Sequence, residues 1–393
     1  MEVAFFLLAW DYNFLQTRLP LQSLNKRMAT IAEIIACIEG FAHPMYQESY
    51  DNSGLIVGNS AKKVKKVMLT LDCTEDVVEE AISTGCQLII AHHPIVFKGL
   101  KSLTGKNYVE RTLLKAIKKD IAIYACHTNL DNVHDGVNRK IAQKLGLKDT
   151  SVLSPMKNTL KQLYTYAPLT EAEAIRQALY KAGAGKIGQY EDCSFSASGL
   201  GTFKAIGNAK PFVGSLHVAH EENEVKIEVV YPVHIERRVL QALHDAHPYE
   251  EIAYGLINIE IPNKDLGAGL VGTLPKPIDE KQFLKLLKAN MKVPCIRHTK
   301  FLNKKVSRVA LCGGSGSFLL NDAIRAGADV FVTADFKYHE FFDAESHLMI
   351  ADIGHYESEQ FTYEIFSELL LKNFTTFAVL KTSVDTNPVN YYS

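Results

Sequence analysis

Apolar positions along the chain follow two different grammars. From Thr30 to Cys126, short continuous apolar runs alternate with amphipathic stretches of about ten residues. A threonine cap precedes the helical pattern "IAEIIACIEGF", and then come strand Val67–Leu71 ("VMLTL"), helix Glu75–Thr84, strand Gln87–Ala91, helix Tyr108–Lys119 and strand Ile121–Cys126. The same grammar returns near the C-terminus. Helix Glu280–Asn290, strand Val306–Leu311, helix Ser317–Ala326, strands Val330–Thr333 and Met349–Ile353, and helix Ser358–Lys372 are expected there. Such alternation predicts an α/β fold around a largely parallel sheet.

Between these stretches the order changes to strand "LKQLYTYAP", helix "EAEAIRQALYKAG", two extended runs around "CSFSASGLGTF" and "EVKIEVVYPV", helix "ERRVLQALHDA" and strand "AYGLINIEI". That β-α-β-β-α-β order is the ferredoxin-like α+β unit. Because the flanking stretches share one grammar, the economical reading is an insertion: residues 28–155 and 265–393 form two halves of one α/β domain, with 156–264 inserted between them. Residues 1–27 read as an N-terminal extension outside the fold. Their apolar run "VAFFLLAW" is too short to span a bilayer and follows Glu2 where a signal peptide carries basic residues.

A chain of 393 residues is long enough for two or three cores. With 43 basic and 44 acidic side chains, it carries no electrostatic footprint for nucleic acid or an anionic membrane, which leaves small molecules, ions or its own copies as partners. The seven cysteines are scattered without a C-x-x-C pair, as expected of a protein in the reducing cytoplasm.

The candidate chemistry gathers at expected strand ends, where open α/β sheets place their ligand sites. "AHHP" delivers His92 and His93 directly after a strand. Neighbouring side chains on an extended backbone project to opposite sides, so the pair suits one ion each better than one ion together. "CHTNLD" brings Asp131, and "DIGHYESEQ" places His355 and Glu359 four residues apart at a helix start, on one face. A lone histidine at a strand end is more often structural than ligating. Three imidazoles and two carboxylates together make a mixed N/O set suited to two divalent ions of Zn, Fe or Mn type, with Asp131 or Glu359 as the bridge. His127 and His339 each lie one loop from a proposed ligand and are candidates for proton transfer or for structural hydrogen bonding. Asp335 leans toward a structural role. The "GGSGS" run from Gly313 reads as a tight strand-to-helix turn rather than a phosphate loop. His244 and His247 fit the packing of the inserted unit or contacts between copies of the chain.

"YDNSGLIVG", "AHHPIVFKGLKSL", "HTNLDNVHDGVN", "CGGSGS", "TADFKYH" and "IGHYESE", in this order from about Thr30 to the C-terminus, resemble the signature blocks of the Nif-three-like family, the GTP cyclohydrolase 1 type 2 homologs. The central "GAGKIGQY" and "AHPYEE" resemble the PII- or CutA-like domain that long members carry as an insertion. The sequence departs from the family pattern at Tyr50, where tryptophan is usual, and at Ala334, where glycine is usual. The resemblance implies a dinuclear metal centre at His92, His93, Asp131, His355 and Glu359, and a homohexameric ring. It also implies a hydrolase whose metal-activated water opens the guanine ring of GTP at C8 and releases formate. The alternative is a non-catalytic metal carrier or regulatory metal-binding protein, since the same ligands serve both.

Overall fold

A computed structural model describes residues 27–392. The expected N-terminal extension, residues 1–27, lies outside the described residues except for Arg27.

In the first half, helix Ile31–Phe41 starts at Thr30, whose side chain and that of Glu33 form a reciprocal capping box. Strands β1 (Gly54–Val57), β2 (Lys66–Thr70), β3 (Leu88–Ala91), β4 (Ala122–Ala125) and β5 (Lys148–Met156) follow, with helices Glu75–Thr84, Tyr108–Lys118, Thr128–Asp131 and Val137–Leu145 between them. The middle holds β6 (Leu160–Pro168), β7 (Phe195–Lys204), β8 (Ala219–Pro232) and β9 (Tyr254–Ile259), with helices Ala172–Lys181 and Glu236–Ala246. The last part contributes β10 (Asn263–Asp279), β11 (Arg297–His298), β12 (Lys305–Ser315), β13 (Val330–Ala334), β14 (Met349–Asp352) and β15 (Ala378–Lys381). Its helices include Glu280–Asn290, His355–Glu359 and Thr362–Asn373.

Two mixed sheets replace the single largely parallel sheet that the pattern predicts. The first has the order β1-β4-β3-β2-β15 and the second β11-β14-β13-β12-β10-β5. Within each, the central strands run parallel (β4, β3, β2 with β15; β12, β13, β14) and the others are added antiparallel. Apart from the edge strand β15, the parallel strands are largely buried and covered on both faces, which is why they are continuous apolar runs. In β2, Val67 and Leu69 enter the core shared with the second sheet, while Met68 enters a separate layer beneath helices Glu75–Thr84 and Tyr108–Lys118. In β13, Val330 and Val332 join that shared core and Phe331 packs on the opposite face.

The middle unit has its own antiparallel sheet, order β7-β8-β6-β9, and its own core around Leu163, Ile175, Leu179, Ile227, Tyr231 and Leu243. The chain leaves the second sheet after Met156 and re-enters it at Asn263, and these two residues are paired across β5 and β10. A final exchange ties the halves together: β15, the last strand of the chain, joins the first sheet beside β2.

Candidate metal centre

Five of the parallel strands lead into residues that can carry chemistry. Asp72 follows β2, His92 and His93 follow β3, Asp131 closes the helical turn after β4, Asp335 follows β13 and His355 follows β14. His92 and His93 do not lie on extended backbone. The chain bends after Ala91, and the amides of both histidines donate to the Leu71 carbonyl at 3.1 and 3.0 Å. Both rings therefore turn toward Glu359, with centroids 5.0 Å apart, so the opposite projection expected from sequence is not what separates their tasks.

What separates them is Glu359. Its Oε2 lies 2.9 Å from His93 Nε2 and 3.2 Å from His355 Nε2, and these two nitrogens are 3.3 Å apart. Its Oε1 faces His92 Nε2 at 3.8 Å, and Asp131 Oδ1 lies 3.6 Å from that same nitrogen. Ligand atoms held tetrahedrally about 2.0–2.1 Å from an ion stand about 3.3 Å from one another, so both groupings have the spacing of a ligand set. His92 Nε2 and Asp131 Oδ1 are buried without a hydrogen-bond partner. Such orphaned atoms are costly unless something else binds them, and a cation would. The residues present thus fit a metal ion, in the groups His93, His355, Glu359 and His92, Asp131, Glu359.

The remaining nitrogen of each histidine is fixed by an acceptor. His92 Nδ1 donates to the Cys126 carbonyl at 2.9 Å, His93 Nδ1 to Asp72 at 2.8 Å, His127 Nδ1 to Asp51 at 2.7 Å and His355 Nδ1 to Asp335 at 2.6 Å. This pattern sets the tautomer and leaves Nε2 free for other partners, as in metal sites whose imidazoles are oriented by carboxylates and carbonyls. Glycine makes the room. Gly314 sits at φ +62°, and a Cβ there would stand 2.5 Å from Glu359 Oε1. The amides of Gly313 and Gly314 donate to Asn138 Oδ1 and Ser358 Oγ, each at 2.9 Å, so the "GGSGS" run joins the end of β12 to the helical turn that starts at Ser317, as expected, and its glycines also seat Glu359.

The electrostatics follow from burial and proximity. Burial opposes charge on His93, but its hydrogen bonds to Asp72 and Glu359 push it up to about 9. The Glu359 charge, against burial and aided by Asp335, pushes His355 up to about 11. Burial and then the Glu359 charge push Asp131 up to about 8. Glu359 itself is lowered well below the usual range, because its histidine partners, His355 first, outweigh its burial.

His127 stands at the same cavity, its ring 5.3 Å from those of both His92 and His93. The structure does not bring His339 there. It lies exposed on the turn Tyr338–Ala344, stacked on Phe342 and edge-on to Tyr338, because that turn leads away from the end of β13. The sequence reading missed Asp51 and Asp72, and it placed Asp335 as structural where it orients His355. Asp51 was in sight within "YDNSG", and Asp72 occupies the strand-end position that singled out His92. A cavity of about 700 Å³ opens beside the cluster, with Tyr50, Phe97, His127, Arg297, Phe318 and Tyr391 among its lining residues.

Mixed α/β sheets whose strand ends gather buried imidazoles and carboxylates define a scaffold able to hold a metal ion. The chain belongs to the Duf34/NIF3 (NGG1p interacting factor 3) family, whose profile matches residues 29–388. A GTP cyclohydrolase 1 type 2 homolog of Bacillus subtilis is 39% identical over 369 residues, which cover 91% of this chain and 98% of that protein. Its counterpart of the same name in Halalkalibacterium halodurans is 38% identical over 346 residues, 87% of this chain and 93% of that one. Among solved structures, the Bacillus cereus protein related to NIF3 superposes with a TM-score of 0.82 at 36% identity, covering 93% of this chain and all of that one. Staphylococcus aureus protein SA1388 does so with a TM-score of 0.74 at 29% identity, covering 93% and 99%. Among the described residues, no helix is long and apolar enough to cross a membrane.

Proposed function

We propose that this chain holds two divalent ions and acts as a metal-dependent hydrolase on a small molecule, with GTP, from the name its relatives bear, as the first substrate to try. The observation that carries the reading is the pair of partnerless buried atoms, His92 Nε2 and Asp131 Oδ1, facing one oxygen of a carboxylate whose other oxygen meets His93 and His355. His92, Asp131 and Glu359 Oε1 would hold one ion; His93, His355 and Glu359 Oε2 the other. Bound there, such ions supply Lewis acidity and lower the pKa of water.

The chain's own residues do the rest. Glu359 keeps both sets of ligands in register, and its burial keeps bulk water from competing for its oxygens. His127 is the residue placed to move a proton. Its Nδ1 is committed to Asp51, which leaves Nε2 to accept or deliver one at the cavity. Asp51 is held in turn by the Thr128 amide at 3.0 Å and the Thr128 hydroxyl, and despite its burial these bonds and that to His127 keep it ionised, well below the usual carboxylate range.

We read the middle unit, residues 156–264, as the ferredoxin-like, PII/CutA-like insertion. Its strand order and separate core support this, with 28–155 and 265–393 as the two halves of the metal-binding domain. A homohexamer in the cytoplasm completes the reading, and light scattering of the metal-loaded protein measures the assembly. The activity is tested by incubating metal-loaded protein with GTP and following formate. Release that disappears in Glu359→Ala is expected. Two tightly held ions with no turnover of GTP would favour a metal carrier instead.

A further inference from the structure

The chain does not stop at β15. Because β15 lies parallel to β2, with Lys381 opposite Leu69, the residues after it travel alongside those after Thr70, toward the metal centre. Thr382 donates its amide to the Leu69 carbonyl at 3.0 Å. Glu80 then fastens the segment: it accepts from the Ser383 amide at 2.9 Å and from the Ser383 hydroxyl at 2.6 Å, and it also takes the Thr382 hydroxyl. Three residues further on, the Thr386 hydroxyl donates to Asp72 Oδ2 at 2.9 Å. Asn387 donates to Glu357 Oε1 at 3.1 Å, and Pro388, Val389 and Tyr391 line the cavity.

Asp72 uses its two oxygens for different purposes: Oδ2 receives Thr386 and Oδ1 receives His93 Nδ1. A carboxylate tethered at one oxygen presents the other in a fixed direction, and through it fixes the plane of the imidazole. Without Thr386, the Asp72 carboxylate is held by His93 alone, the ring it is meant to orient, since no other side chain in the described residues donates to Oδ2.

We propose that the C-terminal segment from Thr382 to Tyr391 is a working part of the metal centre, in which Thr386 is a positioning residue that orients the ligand His93 through Asp72. The inference rests on the reading of His93 as a metal ligand. Its distinctive consequence is selective. A hydroxyl at the tail governs the ion held by His93 and leaves the ion held by His92 alone, because His92 takes its orientation from the Cys126 carbonyl.

Full-length parent, Thr386→Val, Thr386→Ser and His93→Ala proteins are loaded with Co²⁺, and the affinity for each ion is measured by chelator competition while the visible d–d spectrum is recorded. Thr386→Val should weaken one ion by about tenfold and alter its absorption bands, with the other ion unchanged. Thr386→Ser keeps the hydroxyl and should restore both affinity and spectrum. Parent-like binding in Thr386→Val, together with a lost ion in His93→Ala, would overturn the role of the tail. Retention of both ions by His93→Ala would overturn the ligand assignment underneath it.

Discussion

His93 and His355 are separated by 262 positions in the chain, yet their Nε2 atoms lie 3.3 Å apart, with Glu359 Oε2 against both. One comes from the first sheet and the other from the second. The centre therefore exists only when both halves of the domain are folded and docked, and a bound cation would act as a clasp between them.

Stability should follow the metal. Ligand that binds only the folded state adds about 2.7 kcal/mol when present at 100 times its dissociation constant. Thermal unfolding with Zn²⁺ should occur at a higher temperature than with a chelator. In His355→Ala the difference should shrink, because half of the clasp is gone.

Metal uptake should strengthen as pH rises. His93 is pushed up to about 9 and His355 up to about 11 in the metal-free site, so both carry protons at neutral pH that an ion must displace. Raised pKa values mean that these protons stabilise the metal-free fold at low pH and are lost only as pH climbs through the raised values. Each displaced proton makes affinity rise by about tenfold per pH unit below the pKa of its group. Titration calorimetry in buffers of different ionisation enthalpy measures the number released.

Gly314→Ala should damage the site from the backbone side. The position has φ +62°, which costs an L-residue roughly 1–2 kcal/mol, and the new methyl would meet Glu359 Oε1. Loss of metal with a modest loss of stability is expected. Chemical denaturation together with elemental analysis checks it.

Removing the middle unit should leave the centre intact. Met156 and Asn263, at its two ends, are already paired across neighbouring strands, so a short turn can join them. The unit buries its own core, and every residue placed at the centre lies outside it. A deletion of residues 160–259 that folds but binds no metal would contradict this independence.

How far the sequence led depends on where each signal lives. The central parallel strands were legible because burial on both faces writes them as continuous apolar runs, as in Val67–Thr70 and Val330–Ala334. β1, β5, β10 and β15 were not. Their residues are largely half-buried or exposed, and β10 carries three glycines and two prolines while pairing with β5, more than 100 positions earlier. No local pattern announces such a partner. The proposed ligand set could be picked out because His92 and His93, chemically unusual neighbours, directly follow a strand, and Asp131, His355 and Glu359 fall in the helical turns that follow two others. The orienting carboxylates Asp51 and Asp72 were not, since one aspartate in a loop looks like any other until chain reversal brings an imidazole to it. His339 failed for the converse reason: its turn follows the right strand but points away from the cavity.

The central claim is that Glu359 joins two metal sites, one built on His92 and the other on His93. Elemental analysis of purified, metal-replete protein, alongside His92→Ala, His93→Ala and Glu359→Ala, tests it most directly. Two ions per chain are expected in the parent, one in each histidine variant and none in Glu359→Ala. One ion per chain in the parent, lost alike in both histidine variants, would contradict it.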